Sequence, residues 1–121
     1  MAGYADLSSV KRQLTIKTGV VKRLAKEESS YMHEAREQQV RIQQFIDAGR
    51  DEYDLKQQRS VLKDSLKMVP DCRKRLELAV DDLAVYIDGV EGEAVSSDEY
   101  GAAKQVLESA QAQIQSPLPT L

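Results

Sequence analysis

The sequence predicts an all-α fold: an antiparallel up-down-up three-helix bundle with two long helices, a shorter third, and a kink in the second at Pro70. Apolar residues recur at alternating steps of three and four over most of the chain, the spacing of one face of a helix. The chain is 31% charged with both signs interspersed, 41% hydrophobic, and holds no Trp and one Phe. That mixture suits long, solvated helices packed along narrow seams better than it suits a sheet. Turn signals interrupt the pattern at Asp47-Ala48-Gly49 and again between Gly89 and Ser97, which divides it into three.

In the first helix Leu7, Val10, Leu14, Val21, Leu24, Tyr31, Ala35, Ile42 and Phe45 share one track, with Lys17, Glu28 and Gln38 as polar interruptions. Asp6 suits the N-cap, its carboxylate accepting from backbone N–H groups that have no helical partner. From about Leu7 to Ile46 such a helix extends about 60 Å. Gly49 suits the left-handed position just past its end. Asp51 suits the N-cap of the second helix, with Glu52 and Asp54 in the electropositive first turn. Its track runs through Leu55, Leu62, Val69, Cys72, Leu76, Ala79, Leu83, Tyr86 and Val90. The pattern crosses Pro70 in phase, so the proline reads as a kink or brief interruption and not as a domain boundary. After the Gly89–Ser97 connection, Ser96 and Glu99 have the spacing of a capping box for the third helix. Tyr100, Ala103, Leu107, Ala110 and Ile114 form its face. Residues 1–115 read as one bundle domain, and 116–121, SPLPTL, as a flexible tail.

Charge supports the same topology. Residues 7–26 hold six basic and no acidic side chains, whereas 76–103 hold eight acidic and no basic ones. Folding the long helices back about Gly49 brings these blocks together. It also sets the net acidic 27–47 against the net basic 55–75. Such pairs contribute at most about 1 kcal/mol each when exposed, and their larger role is choosing register.

Enzymatic and metal chemistry find little to work with. His33 is the only histidine and Cys72 the only cysteine; a lone cysteine forms no internal disulfide, in keeping with a reducing compartment. Antiparallel folding puts Cys72 opposite Leu24 to Met32, near His33, but a solvent-facing His and a half-buried structural Cys are the simpler reading. Asp81 and Asp82 point about 100° apart on a helix and read as a solvated face. No glycine-rich loop follows a strand. Catalytic, metal and cofactor-binding residues are therefore assigned to none of these positions, and no cofactor is expected.

Nucleic acid is raised by the basic block at 11–26. Against it stand an acidic intramolecular neighbour, a net charge of −3 and the absence of interleaved aromatics. No apolar run approaches the roughly 20 residues that span a bilayer, and the N-terminus lacks the apolar stretch of a signal peptide. The expected location is cytoplasmic, with neither nucleic acid nor membrane as partner. What remains is a surface for another protein.

Two residues that helices tolerate poorly sharpen that reading. In a helix interior glycine costs roughly 1 kcal/mol against alanine and proline about 3 kcal/mol. Gly19 reads either as a weak point in a long helix or as a place where a partner or neighbouring helix approaches the backbone. Ile16, Val20 and Val21 supply more apolar surface than one narrow seam needs, and the third helix is a candidate to cover it.

With IKTGVVKRL at 16–24, YDLKQQ at 53–58, and MVPDC followed by RLELA within 68–79, the chain resembles the tubulin-binding cofactor A family. The order, the spacing and both anomalies agree, from about Thr15 to Tyr86. The resemblance weakens beyond Gly89, and the first dozen residues and the SPLPTL tail look particular to this chain. It implies a cytoplasmic, cytoskeleton-associated chaperone. Such a protein captures β-tubulin folding intermediates released from the cytosolic chaperonin and stabilises them for assembly into α/β-tubulin heterodimers. It acts stoichiometrically, without nucleotide or metal, and other tubulin-folding cofactors are further partners. The family includes monomers and homodimers, so both states stay open.

The family-like residues off the apolar seam are the candidate partner-binding set: Lys17, Lys22 and Arg23 on the first helix, and Tyr53, Asp54, Lys56 and Gln57 on the second. Exposed Lys and Arg would steer an acidic partner, and Tyr53 would supply an amphipathic anchor. The competing reading pairs Lys22 and Arg23 with Glu77 and its neighbours inside the bundle. From a different class comes a structural coiled-coil adaptor, a subunit of a larger helical assembly.

Overall fold

The structure, a computed structural model, describes residues 6–119. The long helices form where the three-and-four spacing runs: α1 spans Leu7–Asp47 and α2 spans Glu52–Asp88. A short 3-10 segment, Gly92–Ser96, leads into α3, Asp98–Ile114. The carboxylate of Asp6 accepts from the Ser9 N–H at 2.7 Å and that of Asp51 from the Asp54 N–H at 2.9 Å, so both long helices start at the expected caps. Accepting that bond holds the Asp6 carboxyl below its ordinary range. Past the end of α1, Gly49 takes φ 69°. The Arg50 N–H then reaches back to the Phe45 carbonyl and the Gly49 N–H to that of Ile46, the double closure typical of a left-handed helix end.

The third cap lies one residue later than the spacing of Ser96 and Glu99 implies. Ser97 caps α3, its hydroxyl accepting from the Tyr100 N–H at 3.2 Å and donating to the Ala94 carbonyl at 2.6 Å. Ser96 is taken up by the 3-10 turn, which glycine and serine content alone did not distinguish from an irregular loop. At the other end of α3 the chain is held: Arg73 donates to the carbonyls of Ile114 and Ser116. Met1–Ala5 and the last two residues of the SPLPTL tail lie outside the described residues.

Three cross-helix contacts fix the register of α1 against α2. Gln38 meets Gln58, Glu28 meets Arg73, and Lys17 meets Asp82; as one number rises the other falls, so the pair is antiparallel. α3 runs parallel to α1, since Lys11 meets Glu99 and the carbonyl of Ala25 accepts from Gln113. The bundle is up-down-up. Arg73 opposite Glu28 sets Pro70 near the level of Tyr31, at the edge of the stretch Lys26 to Tyr31 that folding about Gly49 predicts. Pro70 is exposed and α2 continues through it as helix. Its ring removes the donor to the Leu66 carbonyl, and it sits on the solvent side of the helix.

α3 covers only the first half of α1 and the second half of α2. There the core is continuous, with Leu14, Val21, Leu76, Leu83 and Ala103 all at 0% exposure. The third helix also widens each seam beyond the sequence track. Val80 and Ile87 are buried while Ala79 and Tyr86 remain half-buried, because α3 packs on the Val80 side of α2. Val21 is fully buried, Val20 half-buried against this core, and Ile16 stays 47% exposed. The third helix thus takes up two of the three surplus apolar residues.

Candidate protein-docking surfaces

The polar interruptions of the α1 track are where the structure departs most from a plain bundle. Glu28 is fully buried and Arg73 nearly so. The Arg73 guanidinium grips the carboxylate in a fork, Nε to Oε2 and Nη2 to Oε1, the latter at 3.0 Å. Its remaining N–H groups point at the end of α3, Nη1 to the carbonyls of Ile114 (3.0 Å) and Ser116 (2.9 Å), Nη2 to that of Gln113 (3.3 Å). Gln113 completes the layer, donating from its side chain to Glu28 and to the Ala25 carbonyl. One arginine therefore uses all five donors, ties three helices together, and places positive charge where the α3 dipole is negative.

Neither Arg73 nor Gln113 stood out in the sequence, yet a signal existed. A glutamate on an apolar track needs a cation at the matching height, and reflection about Gly49 leads to position 70, within one turn of Arg73, the first basic residue after it. Gln38 is accommodated in the same way, donating to the side chain and backbone carbonyls of Gln58 at 2.8 and 2.9 Å. Lys17 extends to Asp82 at 2.7 Å and lies over the Tyr86 ring.

Charge pairing follows the sequence expectation in one half only. Lys17–Asp82 and Lys11–Glu99 join the basic block to the acidic one. Between 27–47 and 55–75, however, the single cross-helix ion pair among the described residues is Glu28–Arg73. Three of the other four acidic groups of 27–47 turn to their own helix: Glu27 to Arg23, Glu37 to His33, Asp47 to Gln43. His33 is exposed, whereas Cys72 is fully buried and not half-buried as expected, because Val69, Cys72 and Leu76 all lie in the seam. Burial pushes its thiol above the ordinary value, which makes it a poor nucleophile.

The seven candidate residues fall into two groups at opposite ends of the two-helix contact. Lys17, Lys22 and Arg23 lie in the half of α1 that α3 covers, Lys22 beside α3 and Lys17 against α2, whereas Tyr53, Asp54, Lys56 and Gln57 lie next to the Gly49 turn. Gln38 opposite Gln58 sets the second group level with about residues 39–43 of α1, so at about 1.5 Å per residue the two groups lie about 30 Å apart along the axis and form no single cluster. Lys17 and Asp54 are engaged within the fold, Asp54 by Arg50 at 3.0 Å. Arg23 pairs with Glu27, not with Glu77, and Lys22 makes no ion pair among the described residues. Tyr53 is 68% exposed, its hydroxyl accepting from Gln57 at 2.8 Å.

Gly19 opens on a groove of about 420 Å³ between α1 and the start of α3, lined by Thr15, Thr18, Lys22, Asp98, Glu99 and Ala102. A Cβ placed on Gly19 would meet nothing within 4 Å. Close approach by a neighbouring helix is therefore not the reason for this glycine. Beneath the groove the hydroxyl of Thr18 is buried without a hydrogen-bond partner among the described residues.

Among the described residues no group of His, Cys, Asp and Glu is arranged to hold a metal, and no helix is long and apolar enough to cross a membrane. Two long antiparallel helices with a third packed over one half define a small helical-bundle protein. The profile of the family described as Tubulin binding cofactor A matches residues 9–107, and the chain belongs to that family. The match extends past Thr15 and Tyr86 on both sides and takes in more than half of α3. Tubulin-specific chaperone A of Gallus gallus is 44% identical over 98 residues, 81% of this chain and 90% of that protein. The Homo sapiens protein of the same name is 42% identical over the same shares. Among solved structures, tubulin folding cofactor A from Arabidopsis thaliana superposes with a TM-score of 0.80 at 38% identity, covering 88% of this chain and 99% of that one. RBL2P, described as a β-tubulin binding post-chaperonin cofactor, superposes with a TM-score of 0.76 at 30% identity, over 86% and 99%.

Proposed function

We propose that this chain is a tubulin-folding cofactor that captures β-tubulin released from the cytosolic chaperonin and holds it for assembly into α/β-tubulin heterodimers. The observation that carries this reading is membership of the Tubulin binding cofactor A family along nearly the whole bundle, joined to the likeness to RBL2P. Capture is stoichiometric. A folded binder shifts its partner's equilibrium by mass action and covers surface that would otherwise associate wrongly. A rod of about 60 Å, the length of α1 at about 1.5 Å per residue, offers an extended face for this without rearranging. The working location is the cytoplasm, in contact with the tubulin pool and with other tubulin-folding cofactors.

The contact surface is proposed to include Lys22 and Arg23 at one end and Tyr53, Lys56 and Gln57 at the other, with Lys17 and Asp54 supporting their neighbours. Two sites about 30 Å apart along the axis require a large partner lying along the rod. The test is retention of isolated β-tubulin, α-tubulin and intact heterodimer on the immobilised protein. Preferential retention of β-tubulin is expected, and Lys22→Glu with Arg23→Glu should weaken it while leaving thermal stability nearly unchanged. Equal retention of all three would replace the cofactor reading with that of a general helical adaptor.

A further inference from the structure

The failure of charge pairing in one half of the bundle leaves a row of cations that, among the described residues, pairs with no other helix. Lys56, Lys63, Lys67 and Lys74 follow one another along α2 at steps of seven, four and seven, which sets them on one face of the helix. Arg59 lies beside them, and all five side chains are exposed. The seam residues Leu55, Leu62, Val69 and Cys72 occupy the opposite side, so the row points away from α1. Among the described residues the single ion pair in the row is Lys67 with Asp64, at a loose 3.9 Å. Further along α2 the sign reverses, with Glu77, Asp81 and Asp88 on the same outward side.

We infer that the outward face of α2 from Lys56 to Lys74 is a docking strip for an extended acidic segment of a polypeptide. The row is about 27 Å long at about 1.5 Å per residue, which an extended run of about eight residues would match. Neighbouring cations lie about 6–10 Å apart along the axis, close to the Debye length of about 8 Å at physiological salt, so their fields overlap into one positive band. Such a band accelerates encounter with an anionic chain.

The flanks decide against a docked amphipathic helix. Gln57, Ser60, Asp64 and Asp71 border the row, and the exposed apolar pair Val61 and Met68 lies about a third of a turn away. Between Lys56 and Lys74 no exposed apolar side chain lies in the row itself, and the exposed Leu78 and Val85 follow only beyond it, among Glu77, Asp81 and Asp88. A nucleic-acid strand fits poorly too, because continuing past Lys74 it would meet Glu77, Asp81 and Asp88. A short acidic segment stops before them. The inference stands apart from the identity of the captured chain, and its test uses no tubulin.

Fluorescence anisotropy of labelled ligands against the full chain provides that test, comparing an oligoglutamate decapeptide, a glycine–serine decapeptide control and a ten-nucleotide oligothymidylate. Oligoglutamate should bind most tightly, and its affinity should fall several-fold between low and physiological salt. The triple change Lys56→Glu, Lys63→Glu, Lys67→Glu should weaken it on the order of tenfold or more. Arg12→Glu, Lys26→Glu, Lys104→Glu alters net charge equally on other exposed surfaces and should change binding less than about twofold if location matters. Far-UV circular dichroism checks that both variants stay helical. Equal loss in the two triples, wild-type binding no tighter than the glycine–serine control, or tighter binding of oligothymidylate would each overturn the inference.

Discussion

The half of the molecule that α3 covers and the half that it leaves bare are built from the same two helices, yet they solve burial differently. Beside α3, Leu14, Val21, Leu76, Leu83 and Ala103 are wholly enclosed. Lys11–Glu99 and Lys17–Asp82 link neighbouring helices there. Towards the Gly49 turn, α1 and α2 share a single seam of Met32, Ala35, Leu55, Leu62 and Val69. Val40, Ile46 and Val61 stay 44% exposed or more, and cross-helix ion pairing stops at Glu28–Arg73. A two-helix contact shields only one stripe of each helix, so the rest of the surface stays free for a partner. The three-helix base encloses the larger core, and both halves present accessible side chains, Lys22 and Arg23 on the base and Tyr53, Lys56 and Gln57 on the two-helix arm. The Glu28–Arg73–Gln113 layer is where one gives way to the other.

Breaking that layer is expected to have the largest effect. Glu28→Ala leaves a buried guanidinium without its carboxylate, a change that costs about 3–5 kcal/mol when a buried pair loses one member. Chemical denaturation should register it, and amides of the last turn of α3 should lose exchange protection first. Replacing both partners, Glu28→Met with Arg73→Met, should cost less than Glu28→Ala alone, because no charge is left buried; the residual loss, about 1 kcal/mol per orphaned carbonyl, reflects Gln113, Ile114 and Ser116. A cost below about 1 kcal/mol for Glu28→Ala would mean the layer does not join base to arm.

A matched pair of core truncations sharpens the contrast at intermediate size. Leu83, at 0% exposure, is packed in the three-helix core, and Leu62, at 5%, sits in the two-helix seam. Leu-to-Ala changes in cores cost about 2–5 kcal/mol, more where the surroundings cannot collapse into the space. Leu83→Ala should fall near the upper end and Leu62→Ala near the lower, since the arm has fewer neighbours holding the cavity open. Hydrogen exchange on the unmodified chain should agree, with amides around Leu62 opening more readily than those around Leu83. Equal costs and equal protection would erase the distinction between base and arm.

The base was more legible in the sequence than the arm. Periodicity located both long helices, Asp6 and Asp51 marked their starts, and Gly49 marked the turn, since each is a local signal acting through its own backbone. The opposed charge blocks gave the topology correctly where three helices meet. They misled in the arm, because net charge per segment does not say which side of a helix carries it: Glu27 and Glu37 find partners on α1, while Lys56 and Lys63 face away from it. Glu28 and Gln38 were visible as interruptions of the apolar track. Their meaning needed the partner helix, as did the burial of Val80 and Ile87 by α3. Of the candidate residues, Lys22, Arg23, Tyr53, Lys56 and Gln57 are exposed, and the separation of the two groups follows only from the register.

The smallest expected effect concerns Gly19, where the base itself opens to solvent. Its backbone is helical and an added methyl would meet nothing within 4 Å. Gly19→Ala should therefore stabilise the chain by roughly 0.5–1 kcal/mol, the difference in helix propensity, if nothing but propensity acts there. Thermal unfolding measures this directly, and a loss of stability would show that more than helix propensity acts at the groove beside Thr18 and Ala102. Retention of β-tubulin by the same variant separates the two meanings of the glycine. Unchanged capture makes Gly19 a weak point of a long helix. Weaker capture by a more stable protein makes the groove a contact, because a methyl that improves the helix then harms only what must approach its backbone.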